Sequence, residues 1–211
     1  MNLSPTQIQA PYNTAINNDA NHKIEVLQDL INDEYERILC EKCMSTFFTN
    51  IYQYDDDIVL LEKRALGCEY FCYAIDKLSL SLIPDHTRIG VLDENDNIID
   101  LPMGKELFSK TETEYRYIYL MEKLEHLDKE EAEIFNEDII NLDSLNEFEY
   151  QKALKEVANQ FGLTLQKEIK RLFHYYKQHQ DYILWDLHGD NLMKRSNTGE
   201  MLVLDPFAIR V

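Results

Sequence analysis

The spacing of apolar positions divides the chain into an earlier region of short strands and a later region of helices. Before the strands, residues 24–40 carry apolar side chains every three or four positions, which predicts an α-helix. From residue 45 the apolar runs shorten, and an Asp55-Asp56-Asp57 turn separates two of them. Short runs bounded by turn residues predict a small antiparallel sheet. The helical stripe consists of Ile24, Leu27, Leu30, Ile31, Tyr35 and Leu39.

The strand pattern returns in the middle of the chain. Residues 88–93 and 97–102 flank a Glu-Asn-Asp turn, which predicts a hairpin. Residues 115–122 predict one further strand, while residues 67–80 have helical spacing. Both sheet regions therefore precede the helical part of the chain.

Helices dominate after residue 125. Residues 151–160 and 164–178 have apolar stripes at helical spacing, separated by a Phe-Gly-Leu break. The stretch 126–150 is rich in Asp and Glu with few cations, so it is either a solvated helical insert or a docking face for a basic protein. A small antiparallel sheet followed by a helical half predicts an α+β fold.

Composition limits the kinds of partner and compartment. The 211-residue chain is 45% hydrophobic with a net charge of −18, so we expect a folded globule that does not bind nucleic acid or anionic membrane. No apolar stretch reaches membrane-spanning length, and residues 1–22 are polar without a signal-peptide pattern. We expect a flexible leader over 1–22, one domain over 23–211, and a soluble protein of a bacterial or host cell cytoplasm.

Four cysteines occur as two pairs, Cys40 with Cys43 and Cys68 with Cys72. Two such pairs can hold a structural zinc ion. However, neither pair lies in a Gly- or Pro-turned knuckle, and the second pair lies on the helical pattern of 67–80. Reduced cysteines in the core are therefore the favoured interpretation.

Residues suited to chemistry concentrate near the end of the chain. An apolar run is followed directly by Asp186, and Asn191 comes five positions later. A second apolar run, 202–204, is followed by Asp205, with a Ser-Asn-Thr-Gly turn before it. These carboxylate and amide oxygens are expected at the mouth of one hairpin, where they suit Mg²⁺ and a carboxylate that orients an attacking hydroxyl. Simple turn formation by Asp and Asn is the alternative.

This arrangement resembles the protein-kinase-like superfamily, whose catalytic loop reads Asp-x-x-x-x-Asn and is followed, after an apolar strand, by a metal-binding Asp. Asp186, Asn191 and Asp205 match that pattern in order and spacing. The Asp-Leu-His start of the loop and the Asp-Pro-Phe ending are similar to the compact kinases of lytic phages and bacterial effectors. The resemblance implies that Asp186 is catalytic and that Asn191 and Asp205 hold Mg²⁺, with His188 supporting the loop.

The same resemblance implies a two-lobed fold. The small antiparallel lobe would cover about 41–121, the hinge 121–124 and a truncated helical lobe 125–211. Lys63 would pair with the ATP phosphates, with Arg64 as its rival, and Glu69 would orient the lysine. The hinge would bind adenine through Met121, Glu122 and Leu124. Solvated surface charge and an ordinary buried strand are the alternatives for these positions.

Several positions depart from the family pattern. Leu184 and Trp185 stand where most protein kinases have His and Arg, and Pro206 and Phe207 where they have Phe and Gly. The chain has six glycines and none before Ala65, so it has no glycine-rich phosphate-binding loop. Few residues follow Asp205, so we expect activity that does not depend on a phosphorylated activation loop.

The expected activity is transfer of the γ-phosphoryl group of ATP to Ser or Thr of a host protein, with Mg²⁺ bound. A pseudokinase that acts as a protein-binding module is an alternative, consistent with the missing glycine loop and the acidic charge. A small-molecule phosphotransferase of the aminoglycoside type is another, because its catalytic loop also carries Asp-Leu-His. Those enzymes need a larger helical region after the metal-binding Asp.

Overall fold

A computed structural model describes residues 20–38, 49–64, 66–101 and 115–210 of the chain. These residues fall into two compact units. Of the described residues, the first unit contains 20–64, 85–101 and 115–123, and the second contains 66–84 and 124–210. Helices and antiparallel sheets occur in the same chain, which confirms the α+β class.

The first unit contains a five-stranded sheet. Its strands are β1 (Thr49–Gln53), β2 (Ile58–Lys63), β3 (His86–Leu92), β4 (Ile98–Ile99) and β5 (Arg116–Glu122). They lie in the order β1-β2-β5-β3-β4, and every pair is antiparallel. The strands at the centre, β2 and β5, are buried along almost their whole length, which explains their nearly continuous apolar sequences.

Helix α1 (Ala20–Ile31) packs on this sheet. Val26, Leu27 and Leu30 are buried in a cluster that includes residues of β2, β3 and β5. The approach is close at Gly90, where a Cβ would lie 2.5 Å from the Leu27 Cδ1 atom. Glycine at this position therefore lets the helix reach the sheet.

The helix predicted over 24–40 is wrong at both ends. It begins at Ala20, within the predicted leader, and ends at Ile31, followed by Asp33 in the left-handed region at φ 56°. Tyr35 packs against the same core cluster from the irregular segment that follows, which explains why the apolar spacing continues past the helix end. Residues 36–38 are instead extended and hydrogen-bond to β1. The predicted strand at 45–48 and the first 19 residues of the leader lie outside the described residues.

The second unit is mainly helical and has two further sheets of short strands. Its helices are α2 (Gly67–Leu78), α3 (Lys129–Ile134), α4 (Glu147–Phe161) and α5 (Leu163–His179), and a π-helical turn (Phe135–Ile139) follows α3. Its strands are β6 (Glu125–His126), β7 (Ile183–Trp185), β8 (Leu192–Lys194), β9 (Met201–Val203) and β10 (Phe207–Ile209). Strands β6, β8 and β9 form one sheet, and β7 pairs with β10 in another.

The helices around the acidic stretch are defined by capping. Asp128 and Glu131 form a reciprocal capping box at the start of α3, and Asn146 and Glu149 form another at the start of α4. The second box explains why α4 begins before the predicted boundary at 151. Gly162, with φ 93°, ends α4 and connects it directly to α5.

Helix α5 forms the centre of the second core. It is buried along one side against α2, α4 and the strand β7 that follows it. Four of its fully buried side chains are Leu165, Ile169, Leu172 and Tyr175. No helix in the described part of the chain is long and apolar enough to cross a membrane.

Candidate functional site

The pairing of β7 with β10 brings Asp186 and Asp205 to the same end of a short ladder. Trp185 is opposite Phe207 in this antiparallel pair. Asp186 comes directly after Trp185, and Asp205 lies two positions before Phe207, so both flank this pair on the same side. The Asp186 N–H donates to the carbonyl of Pro206 at 3.0 Å, which continues the pairing by one more bond.

Asn191 is held against both aspartate segments. Its side-chain Nδ2 donates to the backbone carbonyl of Asp186 at 2.8 Å. Its own carbonyl accepts from the N–H of Leu204 at 2.9 Å, one residue before Asp205. The structure therefore brings together Asp186, Asn191 and Asp205, which the sequence predicted at one hairpin mouth.

His188 braces the loop from within. Its Nε2 lies 3.1 Å from Asn191 Nδ2, and its Nδ1 lies 3.3 Å from the backbone N of Asp190. A neutral imidazole has one acceptor nitrogen, so it accepts one of these two hydrogen bonds at a time. Both contacts are within the 186–191 loop, which agrees with a supporting role for this side chain.

Burial raises the pKa of Asp186 above its ordinary value. The nearby His188 opposes this effect, whereas the negative charge of Asp205 adds to it. A carboxyl group in this setting takes up a proton more readily than an exposed aspartate does. This property suits a group that accepts a proton from a hydroxyl during a reaction.

The donor set at this site fits a hard cation. Asn191 uses its amide nitrogen on the Asp186 carbonyl, so its Oδ1 is the amide atom that remains for a ligand. Together with the Asp205 carboxylate it offers oxygen ligands of the kind that Mg²⁺ prefers. Among the described residues, no group of three or more His, Cys, Asp or Glu side chains is placed to hold a metal.

The lysine predicted to contact phosphate, Lys63, is the last residue of β2 in the first unit and is only 9% exposed. Its rival, Arg64, is half exposed and lies 3.5 Å from the Glu62 carboxylate. Lysine is seldom this buried in proteins, so Lys63 is the more distinctive of the two. Glu69 lies in the first turn of α2 in the second unit and is 2% exposed.

The predicted hinge residues have several of their polar groups engaged. The Glu122 N–H donates to the carbonyl of Asp85 at 2.9 Å, and its carboxylate accepts the Asp85 N–H at 2.7 Å. The Lys123 N–H donates to the carbonyl of Asp57 at 2.7 Å. These two backbone donors are therefore not available to a nucleotide. Met121 is buried in β5, and Leu124 is partly exposed in the second unit.

Sequence analysis missed three polar side chains that organise the structure. Glu62 is 3% exposed in β2 and accepts hydrogen bonds from Asn50, Tyr52 and Arg116. Glu168 on α5 is 4% exposed and accepts three hydrogen bonds from residues 81–82. The third is Asn136, which accepts the N–H of Gly189 at 2.8 Å. A charged residue inside an apolar pattern was the available signal for Glu62 and Glu168.

Acidic side chains of α3, the π-helical turn and α4 line a cavity of about 610 Å³ in the second unit. Both interpretations of the 126–150 stretch, a solvated insert and a docking face, are compatible with this cavity. The acidic members of the lining are Asp128, Glu130, Glu131, Glu133, Glu137, Asp138 and Glu156.

One of the two cysteine pairs lies within the described residues. Cys68 and Cys72 are both buried thiols on α2, where they add to its apolar side. Cys40 and Cys43 lie outside the described residues. The predicted reduced core cysteines are therefore found at Cys68 and Cys72, and for Cys40 and Cys43 this interpretation stays a prediction.

No protein-family model matches this chain, and no curated protein matches it significantly.

Proposed function

We propose that this protein is a kinase-like phosphotransferase that moves the γ-phosphoryl group of ATP to a hydroxyl, with Ser or Thr of a host protein as the acceptor. The observation that carries the proposal is the convergence of Asp186, Asn191 and Asp205, with the Asn191 amide bonded to Asp186 at 2.8 Å. Their order and spacing match those of the kinase catalytic loop. The antiparallel pairing of β7 with β10 supports the proposal because it brings Asp186 and Asp205 to the same end of one ladder.

In the proposed reaction, the acceptor oxygen forms a bond to the γ-phosphorus while the bond from that phosphorus to the bridging oxygen of ADP breaks. Asp186 orients the hydroxyl and takes its proton, a role for which its raised pKa is suited. Asn191 Oδ1 and the Asp205 carboxylate would hold Mg²⁺, which when bound neutralises charge on the phosphate oxygens. The supporting hydrogen bonds of Asn191 keep these groups in register.

The two compact units are proposed to correspond to the two lobes of a kinase-like fold. Support comes from the antiparallel five-stranded sheet of the first unit and the mainly helical second unit that carries the 186–191 loop. The roles of Lys63, Glu69, Met121, Glu122 and Leu124 in nucleotide binding stay predictions from the resemblance.

Titration of ATP into the purified protein tests the metal site. We expect Mg²⁺-dependent binding that Asp205→Asn weakens by at least about tenfold, because a metal ligand is lost. Asp190→Asn is the matched control, since Asp190 lies in the same loop and its side chain is 58% exposed. Equal binding by both variants, or binding that ignores Mg²⁺, would remove the proposed metal site.

The acceptor is tested separately with γ-labelled ATP and a host cell lysate. Label on serine or threonine of a protein supports the proposed acceptor, and label on a small molecule supports the aminoglycoside-type alternative. Mg²⁺-dependent ATP binding without transfer to any acceptor would instead support the pseudokinase alternative, which the lack of glycine before residue 65 favours.

A further inference from the structure

The 186–191 loop packs on the helical segment formed by α3 and the π-helical turn. The Asn136 side-chain Oδ1 accepts the Gly189 N–H at 2.8 Å, and the indole Nε1–H of Trp185 donates to the Ile139 carbonyl at 2.7 Å. One bond thus reaches the residue before Asp186, and the other reaches the middle of the loop. The two acceptors both lie in the π-helical turn.

The π-helical turn sets where these acceptors lie. Its defining bond runs from the Ile140 N–H to the Phe135 carbonyl at 2.9 Å, which spans five residues. One residue of an ordinary α-helix corresponds to about 100° of rotation. The extra residue in the π-helical turn rotates the groups after Phe135 relative to an ordinary α-helix, and so changes which of them face the loop. The acceptor carbonyl of Ile139 lies at the end of this turn.

Gly189 makes a close approach to this helical segment. A Cβ at Gly189 would lie 2.6 Å from the Ala132 Cβ and 3.2 Å from both the Ala132 Cα and the Asn136 Oδ1. Its backbone does not lie in the left-handed region, so space and not conformation requires glycine here. The loop is thus seated against α3 at the residue whose N–H is bound by Asn136.

We propose that Asn136 is a positioning residue for the reaction, an inference that rests on the proposed phosphotransferase function. Gly189 begins the short helical turn Gly189–Asn191, so its anchorage fixes the turn that carries the metal-binding amide of Asn191. Asn136 itself is exposed and adds little to the core, which separates its role in the loop from a role in stability.

Two readouts test the proposal with Asn136→Ala, the acceptor-retaining Asn136→Asp, and the control Asn141→Ala. Asn141 is a nearby exposed asparagine whose side chain donates to the Glu137 carbonyl and not to the loop. We expect Asn136→Ala to lower kcat by about tenfold or more, with a less than about threefold change in KM for ATP, because misplaced reacting groups slow the chemical step. Asn136→Asp should recover most of kcat.

The second readout is hydrogen exchange at the Gly189 and Asn191 amides, which requires no turnover. We expect faster exchange at both in Asn136→Ala and little change in Asn141→Ala. Unchanged exchange in Asn136→Ala, or a kcat equal to that of Asn141→Ala in an active wild type, would overturn the positioning role. If the wild type makes no ADP, the phosphotransferase proposal fails, and exchange alone decides whether Asn136 holds the loop.

A pair of compensating substitutions tests the close packing of Gly189 against Ala132 independently of the hydrogen bond. Gly189→Ala should reduce kcat by about tenfold or more because its Cβ cannot fit beside Ala132. Ala132→Gly combined with Gly189→Ala should restore part of that loss, since the 2.6 Å contact is removed. A neutral Gly189→Ala, or a double variant no better than the single one, would contradict the seated loop.

Discussion

The indole Nε1–H of Trp185 donates a hydrogen bond of 2.7 Å to the backbone carbonyl of Ile139. The same ring packs edge-to-face on Phe173, with centroids 5.2 Å apart, and is 8% exposed. Trp185 directly precedes Asp186 in the chain. The Trp185 ring is therefore part of the core next to Asp186, and its hydrogen bond links β7 to the π-helical turn.

Trp185 should contribute to stability in two separable ways. Trp185→Phe removes the hydrogen bond but keeps an aromatic ring, so we expect a loss of about 1 kcal/mol in the free energy of unfolding. Trp185→Ala also leaves a cavity and should cost about 3–5 kcal/mol. Denaturant unfolding of both variants checks these values. Equal stability of Trp185→Phe and wild type would show that the indole hydrogen bond contributes nothing.

Glu168, the one acidic residue of α5, should be costly to remove. It accepts the N–H and hydroxyl of Ser81 at 2.7 and 2.6 Å and the N–H of Leu82 at 2.9 Å. Glu168→Leu removes the acceptor of these three part-buried hydrogen bonds, so we expect a loss of about 2–4 kcal/mol, measured by denaturant unfolding. The exposed Glu156→Leu serves as the control, with an expected change within about 0.5 kcal/mol. Similar losses in the two variants would contradict this account.

Glu62 should make stability fall at acid pH. Burial raises the pKa of Glu62, but hydrogen bonds from Asn50 and Arg116 and the charges of Arg116 and Arg64 outweigh burial, so the pKa lies below its ordinary value of 4.5. Its contribution is therefore present above the pKa of the unfolded chain and is lost as pH falls through the lower pKa of the folded state.

Unfolding free energies of wild type and Glu62→Gln across that acid range check this assignment. The stability difference between the two proteins should be greatest near neutral pH and shrink as the solution becomes acidic. A difference that stays constant, or grows towards acid pH, would mean that the carboxylate of Glu62 is not held ionised by its partners.

Asp186 should have the opposite effect on the folded protein. Burial first, and then the charge of Asp205, raise the pKa of Asp186 above that of the unfolded chain, while His188 opposes them. A raised carboxyl pKa reduces stability as pH rises through it, so the ionised form at neutral pH is a cost to folding. We expect Asp186→Asn to raise the melting temperature at neutral pH without metal or nucleotide. A lower melting temperature would contradict the raised pKa.

The strands of the 186–205 region were predictable because they depend on local spacing. Apolar runs mark β7 and β9, and each is followed within two residues by an aspartate. The pairing of β7 with β10 was not predicted, although it is what brings the two aspartates to one end of a ladder. Three-residue strands carry too little pattern to reveal their partners.

Side-chain contacts between distant parts of the chain could not be predicted from the sequence. Asn136 and Gly189 are 53 positions apart, and Glu168 and Ser81 are 87 apart, so no local period connects them. The end of α1 was misplaced for a related reason, because Tyr35 reaches the core from a non-helical segment. The spacing of apolar residues indicates which side chains are buried, and buried side chains continue in this chain after the helix ends at Ile31.

Turnover of Mg²⁺-ATP by purified protein tests the central claim most directly, comparing wild type with Asp186→Asn and the exposed-loop control Asp190→Asn. If Asp186 accepts the hydroxyl proton, Asp186→Asn should lower ADP formation with an acceptor protein by at least about 10²-fold, because a general base is lost. Asp190→Asn should stay within about threefold of wild type, since its side chain is 58% exposed and outside the proposed ligand set. Equal rates for Asp186→Asn and Asp190→Asn, or no Mg²⁺-dependent ADP formation by the wild type, would contradict the assignment of this loop as a phosphoryl-transfer site.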